Sequence, residues 1–206
     1  MISISLNEVY SETYKALRSV NIEWSLAKDC ANKAKWLAQH GQYFLGSILK
    51  TADLYKNNKI SISINKNTNK KPLATALLGL LLVEYVSANK ITWEGYIDNS
   101  KFLLAAMGII AEEQKINLIL ENEQKDIIAF TKDKEIYVNA NLDTKVTSYS
   151  SLKTYNHIEE KNTKFTSFKK NKDVTNLNDK CWKRLKSMAF ETYVPESETS
   201  KSGAGY

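Results

Sequence analysis

Histidine and cysteine are nearly missing from this chain. Its only histidines are His40 and His157, and its only cysteines are Cys30 and Cys181. Metal centres are built from clusters of His, Cys and carboxylate ligands, and no such cluster or CxxC pair is present, so neither a metal nor a cofactor is expected. Both cysteines fall in helical patterns and read as small buried apolar groups rather than reactive thiols. Arginine occurs only at Arg18 and Arg184, so the net charge of +6 is carried by lysine. Phosphate and guanine recognition draw on the planar arginine fork, so a solvated lysine surface is read here and nucleic acid is not an expected partner. Proline is confined to Pro72 and Pro195, and no internal stretch is rich in Pro, Gly or Ser. One domain over residues 1–206 follows. The longest apolar run, Leu73 to Val83, is far short of the roughly 20 residues a membrane helix needs, so no membrane association is expected. The opening residues, Met1-Ile-Ser-Ile-Ser-Leu-Asn-Glu8, lack a basic segment ahead of a long apolar core, which makes the cytoplasm the expected location. G-x-S-x-G, Walker A, G-x-G-x-x-G after a strand and H-E-x-x-H are all missing, and with them the common hydrolase, nucleotide and zinc-protease devices.

What is there is a folding pattern. Apolar residues make up 43% of the chain and aromatic residues 10%, enough for a chain of this length to bury roughly 70% of its unfolded surface. Ser5-Leu-Asn-Glu8 is a capping box that starts a helix striped by Leu6, Tyr10, Tyr14 and Leu17. A second helix over 22–40 carries small residues on one face and ends at Gly41. A third runs from Tyr43 to Tyr55. Ile60-Ser-Ile-Ser-Ile64 alternates like an edge strand. Pro72 suits the first turn of an all-round apolar helix from Leu73 to about Ala88, the expected centre of the fold. A loop containing Gly95 and Asp98 leads to another helix over 101–114. From Ile116 the period changes to two: runs at 116–121, 126–131, 135–140 and 144–149 read as an antiparallel meander. Residues 150–173 read as a loop with an edge strand, and a last helix covers 177–192. The fold class is therefore α+β: an N-terminal helical layer (1–115) on a C-terminal β meander with a final helix (116–192), then a polar tail (193–206).

The tail, Tyr193 to Tyr206, holds hydroxyls, carboxylates and glycines but almost nothing a core could bury. Glu196 and Glu198 stand two apart and can point the same way in an extended segment. The hydroxyls ahead of Gly203-Ala-Gly205 could cradle an anion. Lysines between Lys56 and Lys71 could attract a polyanion.

Ser5-Leu-Asn-Glu-Val9, Lys15-Ala16, Glu23-Trp24-Ser-Leu-Ala27 and Ala34-Lys-Trp-Leu-Ala38 resemble the opening of a bacterial family catalogued only as a domain of unknown function. There the stretches read S-L-x-E, K-A-x-R-G-x-G, W-G-x-A-E-E-A and W-L-A. Thr192 to Gly205 is similar to that family's T-Y-x-P-x-x-E-x-S-R-x-x-G-A-G ending. Ser25 stands where the family has Gly, Lys28-Asp29 where it has two acidic residues, and Lys201 where it has Arg. The resemblance implies a bacterial cytoplasmic protein and brings no activity. It does imply that Glu198, Ser200, Lys201 and Gly203 fold back near Glu8 and Trp24, forming a polar cleft. The resulting expectation is an accessory or ligand-binding protein of small-molecule metabolism, whose partner is a small molecule or another protein. The alternative is an enzyme on a small polar metabolite, with Glu198 as general acid or base and Glu8 or His40 assisting.

Overall fold

A computed structural model describes residues 4–64, 71–139, 148–156, 165–170 and 178–192. Among these residues, six helices and a six-stranded antiparallel sheet make up an α+β fold. Helix α1 (Leu6–Ser19) starts where the capping box places it, with Ser5 Oγ accepting from Glu8 N at 3.0 Å. The Glu8 carboxylate does not close the box; it pairs with Lys186 instead. Helix α2 (Trp24–Gln39) ends at Gly41, whose φ of 66° takes the left-handed conformation. There Gln42 N donates to Leu37 O and Gly41 N to Ala38 O, the double bond set that stops a helix. Helix α3 spans Leu45–Lys56.

The alternating 60–64 segment is not a strand. Ser61 forms a single bridge to Leu73, and its hydroxyl turns back onto Ser63, which curls the chain away from further pairing. Pro72 and Leu73 likewise stand outside the next helix. Leu73 is extended, donating to Tyr96 O and accepting from Asp98 N, so α4 begins only at Thr75 and runs to Asn89. The expected loop around Gly95 is strand β1 (Trp93–Ile97), in which the Trp93 indole lies across Gly95. Helix α5 (Ser100–Glu113) follows.

Strands β2 (Leu118–Asn122), β3 (Ile127–Lys132) and β4 (Glu135–Asn139) form the meander read from the sequence. The fourth strand departs from it. β5 (Ser148–Thr154) lies later in the chain than expected and inserts between β1 and β2, while β6 (Phe165–Ser167) takes the far edge, giving the order β1-β5-β2-β3-β4-β6. Trp93, Leu152, Leu120, Ala129 and Val138 fall in one register row and are all buried in the core, where α4 and α5 cover the sheet. α2 packs on α4 and α5, and α1 on α2. The last helix, α6 (Asp179–Phe190), does not join the sheet; Trp182, Leu185 and Ala189 dock it on α1 and α3. Arg184 pairs with Asp53 there. α4 is not central on every side, because Leu81 and Tyr85 are exposed.

Asp98 and Lys33 are buried within the helical layer. Asp98 accepts from Thr75 N (2.8 Å), Thr75 Oγ1 (2.7 Å) and Thr51 Oγ1 (3.0 Å), capping α4 from outside the helix. Burial pushes its carboxyl up, against the lowering effect of those bonds. Lys33, fully buried on α2, donates to Leu77 O at 3.4 Å. Burial draws its ammonium down to about 8.

At Gly108 the requirement for glycine is steric. A Cβ there would stand 2.3 Å from Trp36 Cζ2, so α2 and α5 approach closely only because α5 has no side chain at that point. Gly108→Ala is expected to destabilise the protein by about 2 kcal/mol. In a Trp36→Phe background the cost should shrink, and equal costs in denaturant melts of both backgrounds would contradict this packing account.

Candidate functional site

Of the residues singled out from the sequence, Glu8 and Trp24 are described and stand apart. Glu8 lies in the first turn of α1, 3.4 Å from Lys186 of α6. Trp24 opens α2 and is 66% exposed, with Tyr14 edge-on at 6.3 Å and the Arg18 guanidinium 4.7 Å over its ring. The ten residues from Glu8 to Arg18 cover about 15 Å of helix, so the two side chains do not share one pocket. Glu198, Ser200, Lys201 and Gly203 lie outside the described residues, as do Glu196, His157 and residues 65–70 of the lysine-rich stretch.

His40 has a defined role. Its Nδ1 lies 2.8 Å from Trp36 O, an acceptor, which places the proton on Nδ1 and leaves the Nε2 lone pair facing Glu112 Oε1 at 4.0 Å. Glu112 accepts from Trp36 Nε1 and from Lys170 Nζ, both at 2.9 Å, and Phe168 packs beside the Trp36 ring. Burial holds His40 below its ordinary 6.5, against the opposing pull of Trp36 O and Glu112. Burial alone would raise Glu112, but the bonds from Lys170 and Trp36 outweigh it and keep the carboxylate low. A histidine depressed in the folded state loses stability as pH falls from 6.5 through its folded pKa, since the unfolded chain takes up the proton first. An NMR titration should place His40 below 6.5, and Glu112→Gln should lower it further. An upward move would contradict this arrangement.

Among the described residues, a site with room for a ligand lies elsewhere. A groove of about 730 Å³ opens where α4 and α5 end beside the starts of β2 and the end of β5. α4 contributes Glu84, Ser87, Ala88 and its cap Lys90. The α5–β2 connection contributes Gln114, Lys115, Ile116 and Asn117, and the far wall is Thr154, Tyr155 and Asn156. Its floor is tied down. Thr131 Oγ1 donates to Ile116 O (2.6 Å) and accepts from Leu118 N (2.8 Å), Tyr155 N donates to Asn117 O (3.1 Å), and the Tyr155 phenol donates to Thr131 O (2.7 Å). Burial, with help from the Asp133 charge, pushes Tyr155 up to about 12, so the phenol keeps its proton at neutral pH and is a fixed donor. Lys90 adopts the left-handed conformation, φ 50°, that ends α4.

Charges of both signs and several amides line this groove, and no nucleophile beside a base is among its described residues. Among the described residues no group of three or more His, Cys, Asp or Glu could hold a metal ion, and no helix is long and apolar enough to cross a membrane. Sequence reasoning missed the groove because its lining comes from three separated segments. The one available signal was that Lys90, Gln114 and Lys115 fall just beyond the ends of helical patterns.

No protein-family model matches the chain, and no curated protein or solved structure matches it.

Proposed function

We propose that the chain is an accessory or ligand-binding protein of bacterial small-molecule metabolism that holds a small polar molecule in the groove between the ends of α4 and α5. The observation that carries this reading is the groove itself. Its volume of about 730 Å³ lies within the roughly 300–1,000 Å³ of small-molecule sites, and a hydrogen-bonded floor preforms it. The resemblance of Ser5 to Ala38 and of Thr192 to Gly205 to a bacterial family supports the bacterial setting. A thermal-shift screen against organic acids, amino acids and nucleotides should find a stabilising compound, and Lys115→Glu should remove the shift. A shift that survives Lys115→Glu, or no shift with any class, would contradict the proposal.

A second reading, an enzyme on a small polar metabolite, is favoured by the base-ready Nε2 of His40 opposite Glu112. It also draws on α6, which ends the described chain beside α1 and pairs Lys186 with Glu8 at the root of the carboxylate-bearing tail. Under it, His40→Gln and Glu198→Gln each abolish turnover of the compound found by the screen. Turnover by both variants would end it.

A further inference from the structure

We infer that the ligand class of the groove is a zwitterion of the amino-acid or short-peptide kind, with a free ammonium and a free carboxylate; this rests on the groove being the binding site. The charge arrangement rules against simpler ligands one at a time. Lys90 and Lys115 bring positive charge to the lining, and among the described residues neither makes an ion pair. A purely cationic ligand would meet both without a counter-charge. Glu84 stands on the same lining, and the C-terminal ends of α4 and α5 both border the groove. Each helix end carries about half a negative charge within its last turn, so a purely anionic ligand meets Glu84 and two carbonyl ends. A molecule with both charges satisfies both signs, its ammonium paired with Glu84 and its carboxylate with the lysines.

The uncharged lining fits the same class. Asn117 and Asn156 offer amide donors and acceptors of the kind that a peptide or α-amino acid backbone uses, while Ala88 and Ile116 give a side chain apolar contact. The Tyr155 phenol is already committed to Thr131 O, so it holds the floor rather than meeting the ligand.

Isothermal titration tests the class directly. The probes are the twenty amino acids, the Ala-Ala dipeptide, its N-acetylated and its C-amidated forms, and succinate and putrescine as a dianion and a dication. A zwitterion among them should bind, and capping either end of Ala-Ala should weaken binding at least tenfold. Glu84→Gln should erase the penalty for N-acetylation, and Lys115→Gln the penalty for amidation, each without changing the melting temperature of the free protein. Capped forms that bind as tightly as the free dipeptide, or binding by succinate or putrescine in place of every zwitterion, would overturn the inference while leaving the groove a binding site. Silence from all probes, with no displacement of groove resonances, would overturn both.

Discussion

Asp98→Ala is expected to destabilise the protein by roughly 3 kcal/mol, the largest loss of any single change considered. The carboxylate is buried and accepts from Thr75 N, Thr75 Oγ1 and Thr51 Oγ1. Alanine leaves the buried Thr51 hydroxyl without its acceptor and the Thr75 amide and hydroxyl with only Leu73 O and Asn99 O. Asp98→Asn separates the hydrogen bonds from the charge. Its amide oxygen can take the Thr75 donors and its NH₂ can donate to the Thr51 hydroxyl, so its cost should stay within about 1 kcal/mol. The sign of the titration agrees. Burial raises the Asp98 carboxyl above its ordinary 3.8, so ionising it opposes folding, and the stability linked to this group is fullest below 3.8 and is lost as pH rises through the folded pKa. Equal losses for Ala and Asn in urea melts would show that the anion, rather than the acceptor geometry, holds α4.

Lys33→Met is expected to work in the other direction and stabilise the fold by roughly 1–3 kcal/mol. The Lys33 ammonium sits in the interior with one long bond, to Leu77 O, and burial draws it from 10.5 to about 8. A shift of that size opposes folding by about 3 kcal/mol at neutral pH. Methionine keeps the length of the side chain and removes the charge. The pH dependence is specific. The unfolded chain holds the Lys33 proton more tightly than the folded one, so wild-type stability rises with pH between about 8 and 10.5. Burial raises the neighbouring Cys30 thiol from 9.0 to about 12, which lowers stability as pH climbs above 9. The clean interval is therefore pH 7 to 9, where the advantage of Lys33→Met should shrink by on the order of 1 kcal/mol. A variant less stable than wild type, or an advantage that does not change with pH, would contradict a charged Lys33.

Local chemistry made much of the fold legible. Ser5 and Glu8 mark the start of α1, Gly41 marks the end of α2, and alternating apolar residues mark β2, β3 and β4. Each of these is decided within a few residues. The misreadings share the opposite property. β1 was hidden by Gly95, which reads as a loop residue but here leaves room for the Trp93 ring in a strand fixed by its pairing with β5. β5 pairs with β1 and β2 across long chain separations, and its Ser150 and Ser151 are buried without an apolar signature. Leu73 looks like part of a helix but is taken by Tyr96 and Asp98. In each case a partner distant in sequence overrode the local pattern. The site was less legible still. His40 is recognisable as a rare residue, yet its partners Glu112 and Lys170 lie far along the chain. The groove is made of helix ends whose lysines and amides look like ordinary surface.

Amide chemical-shift mapping on the uniformly labelled protein, titrated with the compound that the thermal screen selects, tests the account at its centre. Saturable displacements confined to residues 84–90, 114–117 and 154–156 are the expected result. Displacements centred on Glu8 and Trp24, or on His40 and Glu112, with the groove resonances unmoved, would contradict it.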